Sequence, residues 1–294
     1  MMETRVLHYF LKIAQTGTIS QAARELHVTQ PTLSRQLRTL EAELGTPLFI
    51  RKQHAMVLTP AGSQYQSSAR QILAMVDRAK QGVQQSNDDL VGTIAIGCIE
   101  ANAAKLMAAA ITQFHHQHPA VKFELYDLDS TDINERLDQG LIDLGLVLKP
   151  NETEKYHRYN LNLEDRWDVV VARASQFAQQ TDVRLAMLKK LPLLVTRNTL
   201  VQSELSEILG LPVDHLNIVG TQNLVTTSLY LAQQGVAFPL CAGGAFIQDT
   251  ADLKFIPLHG ARPIKQQLIW SKQRATTDAV TEFIRVFEAI DQHD

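Results

Sequence analysis

The sequence predicts an α/β protein behind an all-helical front. Three observations carry this: two short helical patterns around a tight break before residue 45, one long amphipathic helix after residue 60, and strand and helix patterns that alternate from residue 91 onward. At 294 residues the chain is too long for one ordinary core, so two or three domains are expected. A hydrophobic fraction of 45% with 20% charged residues is that of a globular protein. The charge is uneven. Residues 1–90 hold 10 Lys and Arg against 7 Asp and Glu, whereas residues 91–294 hold 18 against 24. A mildly basic front on an acidic body points to a polyanionic partner for the front alone.

The chain opens with Leu7, Phe10, Leu11 and Ala14 at helical spacing, interrupted by His8 and Lys12. In GTISQAARELHVTQPTLSRQLRTLEAELG (17–45), Thr18 or Ser20 caps a helix whose buried face is Ala22, Ala23 and Leu26. Small side chains there let a second helix cross at close range. Val28 seats the turn. Thr29 caps the next helix, with Pro31 in its first turn, where a missing N–H costs nothing. Leu33, Leu37, Leu40 and Leu44 give this helix one core face, leaving Gln30, Thr32, Ser34, Arg35 and Arg38 at or near the other. Donors and acceptors at the exposed N-terminal end of a helix are what a helix-turn-helix needs to match base edges in a DNA major groove.

Pro47–Ile50 and Ala55–Leu58 then read as a β-hairpin wing, joined by Arg51, Lys52, Gln53 and His54, a cationic tip able to reach phosphate or a neighbouring groove. Thr59-Pro60-Ala61-Gly62 starts a long helix running to about Asp88. Its apolar positions Tyr65, Ala69, Ile72, Met75 or Val76, Ala79 and Val83 form one stripe on an otherwise polar rod. Such a stripe pairs with something, most simply its own copy.

From residue 91 the pattern changes. VGTIAIG reads as a strand, ANAAKLMAAAITQFHHQHP as a helix ended by Pro119, VKFELYDL as a strand, STDINERLDQG as a helix capped by Ser130, and LIDLGLVL as a strand. This βαβαβ run implies a parallel sheet. A second run starts at Trp167 with WDVVVAR, continues through a helix to Leu188, PLLVT, a helix near Ser203–Leu209, HLNIVG, NLVTTSLYLAQQG and VAFPL. QQLIWSK and a final helix from about Thr277 to Ile290 return to the first half, so two α/β subdomains are expected. Ligands in such sheets bind beyond the carboxyl ends of strands, often at helix N-termini. Those ends are Cys98, Ile99, Glu100 and Asn102; Asp129 and Ser130; Val147 to Lys149; Thr196, Arg197 and Asn198; and Gln222, Asn223 and Pro239.

Several function classes fall away. Cys98 and Cys241 form no CxxC pair or Cys/His cluster, so neither a disulfide framework nor a zinc module is indicated, and a reducing compartment fits. His115, His116 and His118 crowd a helix end before Pro119, where a solvated terminus is the simpler reading than a metal site. Cys98 beside a helix start is a candidate oxidant sensor, but Cys241 lies in the other subdomain, against a switch that pairs two cysteines. No signal-peptide pattern or run of roughly 20 apolar residues occurs, so a cytoplasmic protein with no membrane partner is expected. No GxSxG, HExxH, P-loop or GxGxxG stands in a suitable context, so no enzyme, metal or cofactor is expected.

Phe10–Ala14, GTISQAARELHVTQPTLSRQLRTLEAELGTPLF and LTPAG together resemble the LysR-type transcriptional regulators, and the resemblance covers essentially the whole chain. It implies a winged helix-turn-helix (1–60), a dimerising linker helix (61–90) and an effector-binding domain (91–294) resembling the type II periplasmic binding proteins. Subdomain I would span about 91–161 plus 266–294, and subdomain II about 162–265. By position, Gln30, Pro31, Ser34 and Arg35 would face bases or adjacent backbone, with Thr29 and Arg38 beside them and Thr32, Arg51 and Lys52 on phosphate or the wing's groove. The loops after the first strand, around Thr196 and around Gln222 would hold a small-molecule effector. The implied partners are double-stranded promoter DNA, an effector, further copies of the chain as dimer or tetramer, and RNA polymerase. One expectation concerns the effector itself: an amine or hydroxyl held by Glu100 and an acidic group held by Arg197 or Lys149. Read without the family, the residues also allow a solute-binding or enzymatic α/β protein whose helical front oligomerises it.

Overall fold

The computed structural model describes residues 3–52, 55–83, 90–149, 154–210, 212–244 and 250–292, with side chains except at 71, 74, 77–83, 185 and 200. They form two compact units, Met1–Gln84 and Gln85–Asp294. The first holds α1 (Thr4–Thr16), α2 (Ile19–Glu25), α3 (Gln30–Leu44), β1 (Phe49–Lys52), β2 (Ala55–Leu58) and α4 (Pro60–Val83). Residues 84–88, the expected end of α4, lie outside the described residues.

Local chemistry sets each boundary of this unit. Thr18 caps α2 by accepting from Gln21 N at 3.2 Å, and Thr29 caps α3 by accepting from Thr32 N at 3.4 Å. Ala22 and Ala23 are buried where α1, α2 and α3 meet. The turn after α2 passes through His27 at φ 54, a left-handed conformation that a side chain rarely adopts. The hairpin pairs antiparallel from Phe49 with Leu58 to Lys52 with Ala55, so Arg51 and Lys52 sit on its first strand rather than at its tip. Gln53 and His54 lie outside the described residues. Phe10 is the hub of the core, 5.3 Å from the Phe49 ring and 4.9 Å edge-on to Tyr65. Leu33, Leu37 and Leu40 join that core, whereas Leu44 is 41% exposed, because α3 ends beside it at Gly45.

The second unit carries two sheets. β3 (Gly92–Cys98), α5 (Ala103–Gln117), β4 (Val121–Asp127), α6 (Ser130–Gln139) and β5 (Leu144–Leu148) form the expected βαβαβ run, with β3 parallel to both β4 and β5. β6 (Tyr156–Asp165) and β13 (Ile264–Ser271) complete a five-stranded sheet of order β4-β3-β5-β13-β6. α10 (Asp278–Asp291) returns to this half, capped by Thr277, and Phe283 packs edge-on to Phe114 of α5 at 5.4 Å. The other sheet, of order β10-β9-β11-β7-β12-β8, holds β7 (Trp167–Ala172), β8 (Val183–Arg184), β9 (Leu193–Thr196), β10 (Ile218–Gln222), β11 (Phe238–Ala242) and β12 (Leu253–His259). α7 (Leu185–Leu188), α8 (Thr199–Leu209) and α9 (Thr226–Gln233) belong to this half.

The long helix expected before Leu188 does not form. A 3-10 turn at Gln176–Gln179, β8 and the single turn of α7 replace it, with Ser175 accepting from Phe177 N and Lys254 Nζ donating to the carbonyls of Ala178 and Gln180. Polar caps thus win over apolar spacing. The strand β6 puts the crossover into the second half at Asp165–Trp167, and β13 starts at Ile264, so each subdomain boundary moves by a few residues from the expected one.

Candidate nucleic-acid interface and ligand cleft

Gln30, Pro31, Arg35 and Arg38 are exposed along α3, and Thr32 is half-buried with its hydroxyl 2.8 Å from that of the cap Thr29. Arg51 and Lys52 are exposed on the wing. No Asp or Glu occurs between Glu25 and Glu41 or between Glu43 and Asp77, so these cations stand on a stretch without local carboxylates. Ser34 is a correction. It is 4% exposed and its hydroxyl accepts from Arg38 Nη2 at 3.1 Å, because it follows Leu33 directly onto the core side of α3. Its contribution is to orient Arg38. Glu41, which the sequence reading passed over, ties the wing to α3: its Oε1 accepts from Leu48 N at 2.8 Å and Phe49 N at 3.2 Å.

The apolar stripe of α4 divides. Ala69 is fully buried and Tyr65 half-buried against this unit's own core, joined there by Leu73, so Ala69 has no surface left for a second copy. Ile72 and Met75 are 37% and 48% exposed, and Val76 is half-buried. The side chains of Ala79 and Val83 lie outside the described ones.

In the second unit a narrow cavity of about 70 Å³ opens between the two sheets' carboxyl ends. Ile99, Glu100, Ser130, Thr196, Asn198, Gln222 and Asn223 line it, as strand-end reasoning expects, together with Asp129. Trp167, Val201, Leu240, Cys241 and Ala242, which that reasoning did not reach, make much of its apolar wall. Trp167 starts β7, Val201 lies in the first turn of α8, and Leu240 to Ala242 lie on a strand buried along its whole length, where sequence gives no directional signal.

Five expected residues are placed elsewhere. Cys98 is a buried core residue of β3, and Pro239 is buried within β11. The Asn102 side chain donates to Asp165 Oδ1 at 2.8 Å, and its N–H to Oδ2 at 3.0 Å. Asp165 also accepts from Gln266 Nε2 at 2.6 Å; burial raises its pKa while these bonds hold it down. Lys149 lines a separate cavity of about 440 Å³ with Trp167 and Lys265, and burial lowers its pKa, helped by Arg158 and Lys265. Arg197 is turned to protein: Nε donates to Asp129 at 2.5 Å and Nη2 to Asp132 at 2.8 Å, and the Asp129 bond leads in raising its pKa. Glu100, on the cavity wall, is also engaged. Its carboxylate accepts from Val225 N at 2.5 Å and from the Thr226 hydroxyl at 3.1 Å, closing over the start of α9. Of the groups expected to hold the effector, Glu100 and Arg197 are thus engaged by the chain itself, and Lys149 lines a different cavity.

Residues 4–63 match the family described as bacterial regulatory helix-turn-helix protein, lysR family, and residues 87–290 match the LysR substrate binding domain. The chain belongs to the LysR family. It is 38% identical over 147 residues to the HTH-type transcriptional regulator BsdA of Bacillus subtilis (strain 168), a stretch covering 50% of each protein. The Hca operon transcriptional activator HcaR of Escherichia coli (strain K12) is 26% identical over 295 residues, covering 98% of this chain and 97% of that protein. The match thus spans about half the length of some curated relatives and nearly all of others. The solved structure of CbnR, a LysR family transcriptional regulator, shares the fold with a TM-score of 0.73 at 22% identity over 99% of both chains. Full-length CbnR complexed with its target DNA gives 0.71 at 23% identity, over 98% of this chain and all of that one.

In this LysR-family chain the thiols are shielded. Burial, helped by Asp127, pushes Cys98 up to about 12, and burial likewise raises Cys241. Among the described residues no three His, Cys, Asp or Glu side chains converge to hold a metal ion.

Proposed function

We propose that the protein is a sequence-specific transcriptional regulator of the LysR type that reads an inverted-repeat promoter site as a dimer or tetramer and responds to a small molecule in the cleft of its second unit. The observation that carries this is the N-terminal half of α3, where Gln30 and Arg35 are exposed in the same unit that exposes the wing cations Arg51 and Lys52. Arg reads guanine bidentately and Gln reads adenine, while wing cations suit phosphate. The repeat follows from symmetry, since a two-fold dimer needs two related half-sites. The exposed Ile72 and Met75 of α4 support self-association. The reading places the protein in the cytoplasm with RNA polymerase as its downstream partner and assigns it no enzymatic step. None of the described helices is long and apolar enough to cross a membrane.

Binding to the DNA flanking its own gene tests the reading. Arg35→Ala and Gln30→Ala should each lose about 1–3 kcal/mol on the specific site and relax base preference. Lys52→Ala should weaken all sequences alike and flatten the salt dependence. Equal loss on specific and random DNA for all three variants would remove the recognition-helix assignment.

A further inference from the structure

The cleft has its own charge logic. Among the described residues its wall carries two carboxylates, Glu100 and Asp129, and no lysine or arginine. The undescribed stretches 150–153 and 245–249 contain no lysine or arginine either. Arg197 comes nearest, but it is bound to Asp129 and Asp132 outside the wall. Three helices begin at the cleft, and each start is satisfied by the chain itself. Asp129 accepts from Asp132 N at 2.9 Å at α6, Asn198 from Val201 N at 3.2 Å at α8, and Glu100 from Val225 N at α9. At these three starts one first-turn N–H is thus met by the chain itself, at two of them by a protein carboxylate whose charge opposes an anionic ligand there.

Two buried polar atoms on the wall have no partner. Gln222 spends its amide N–H on the Leu240 carbonyl at 3.3 Å and leaves Oε1 unpaired, and the Trp167 indole Nε1 is an unpaired donor on a ring 5% exposed. A buried acceptor and a buried donor without partners, on two residues that line the cleft, cost free energy until a ligand supplies the complementary groups.

Resting on the cleft being the effector site, we propose that the effector is an uncharged small amphiphile and not a carboxylate. Its head presents an N–H or O–H to Gln222 Oε1 and an acceptor to Trp167 Nε1, and its apolar body lies against Leu240 and Val201. A carboxylate would enter beside Glu100 and beside Asp129, whose one partner cation, Arg197, is already shared with Asp132, and could not donate to Gln222. A primary amide or a hydroxyl carries both the donor and the acceptor that these two atoms call for.

Full-length protein carrying Trp270→Phe leaves Trp167 as its only tryptophan; because Trp167 also lines the Lys149 cavity, each titration is repeated with Lys149→Ala and Lys265→Ala, where a signal from that second cavity changes and one from the cleft does not. The probes are two matched sets: isobutyramide, isobutanol, isobutylammonium and isobutyrate; and benzamide, benzyl alcohol, benzylammonium and benzoate. The amide and alcohol of each set should change Trp167 emission and raise the melting temperature, with the matched ammonium and carboxylate about tenfold weaker or worse; an ammonium that binds as well as its amide overturns the donor-and-acceptor head. Gln222→Leu should remove the response to the amides and alcohols. A carboxylate that binds as well as its amide, with Trp167 reporting, overturns the charge class and leaves the cleft as the effector site. Stabilisation by an amide without a Trp167 signal and unaffected by Gln222→Leu overturns the cleft reading itself. Silence from both complete sets also counts against the proposal.

Discussion

At Gly62 a side chain would begin 2.0 Å from the carbonyl oxygen of Leu48, a backbone atom that cannot move aside. The run LTPAG has a mechanical reading here. The Thr59 hydroxyl donates to the Pro47 carbonyl and accepts from Gly62 N, each at 2.9 Å, while Pro60 opens α4 and Gly62 lets the helix press on the wing. Gly62→Ala should therefore destabilise the first unit by about 3 kcal/mol, at the upper end of overpacking costs. An unchanged urea midpoint for that unit would remove the contact. The two cysteines give a second prediction at this scale. Burial holds Cys98 at about 12 and raises Cys241, whereas an unfolded thiol ionises near ~8.5. The folded state keeps protons that the unfolded chain releases, so this stability is fully present below about pH 8.5 and is lost as pH rises toward the folded values. Folded protein should ignore a chromogenic disulfide reagent at neutral pH and react only on unfolding; rapid labelling of the folded chain would contradict it. Caps and turn residues were legible residue by residue because each acts on its own neighbours. Ser34 was not, since it stands three residues before the buried Leu37, at the edge of the core face, where spacing does not decide burial.

At the scale of elements, α4 shows what a helical stripe can and cannot say. Spacing identifies an apolar face but not what covers it, and the stripe proves to serve two masters. Tyr65 and Ala69 pack on α1, while Ile72 and Met75 remain outside. If the outer face is the seam between copies, Ile72→Glu should give folded monomers by sedimentation, with weaker DNA binding. Ala69→Glu, which places a charge in the core, should instead unfold the first unit. An Ile72→Glu protein that stays dimeric would place the seam elsewhere. The parallel run β3-α5-β4-α6-β5 was readable because each apolar strand is bounded by a helix with its own cap and stop. β6, β8 and β12 were not read: β6 alternates only loosely, β8 is two residues long, and β12 contains Pro257.

For the whole molecule, the cleft depends on pairings between residues far apart in sequence, and these are what strand-end reasoning cannot supply. Asp129 and Arg197 stood at separate strand ends, each a candidate for ligand, yet they meet 68 residues apart and satisfy each other. Together with Glu100 on the start of α9, this pair clasps the two subdomains across the cavity. Arg197 is 46% exposed, so the pair itself is a modest and salt-screened attraction. The consequence of cutting it is larger for geometry than for stability. The Asp129 side chain is 6% exposed, and without the guanidinium its charge is best relieved by water, which enters only if the cleft opens. Arg197→Ala should thus lower the melting temperature slightly. Hydrogen exchange at Val225 and the first turn of α9 should accelerate markedly, because the second clasp, at Glu100, loses its counterpart across the opening. High salt, which shortens the Debye length to about 3 Å at 1 M, should move the unmodified protein in the same direction by a smaller amount. Unchanged exchange at the start of α9 in Arg197→Ala would mean that the two clasps act independently and that closure is held by the apolar wall around Trp167 and Leu240.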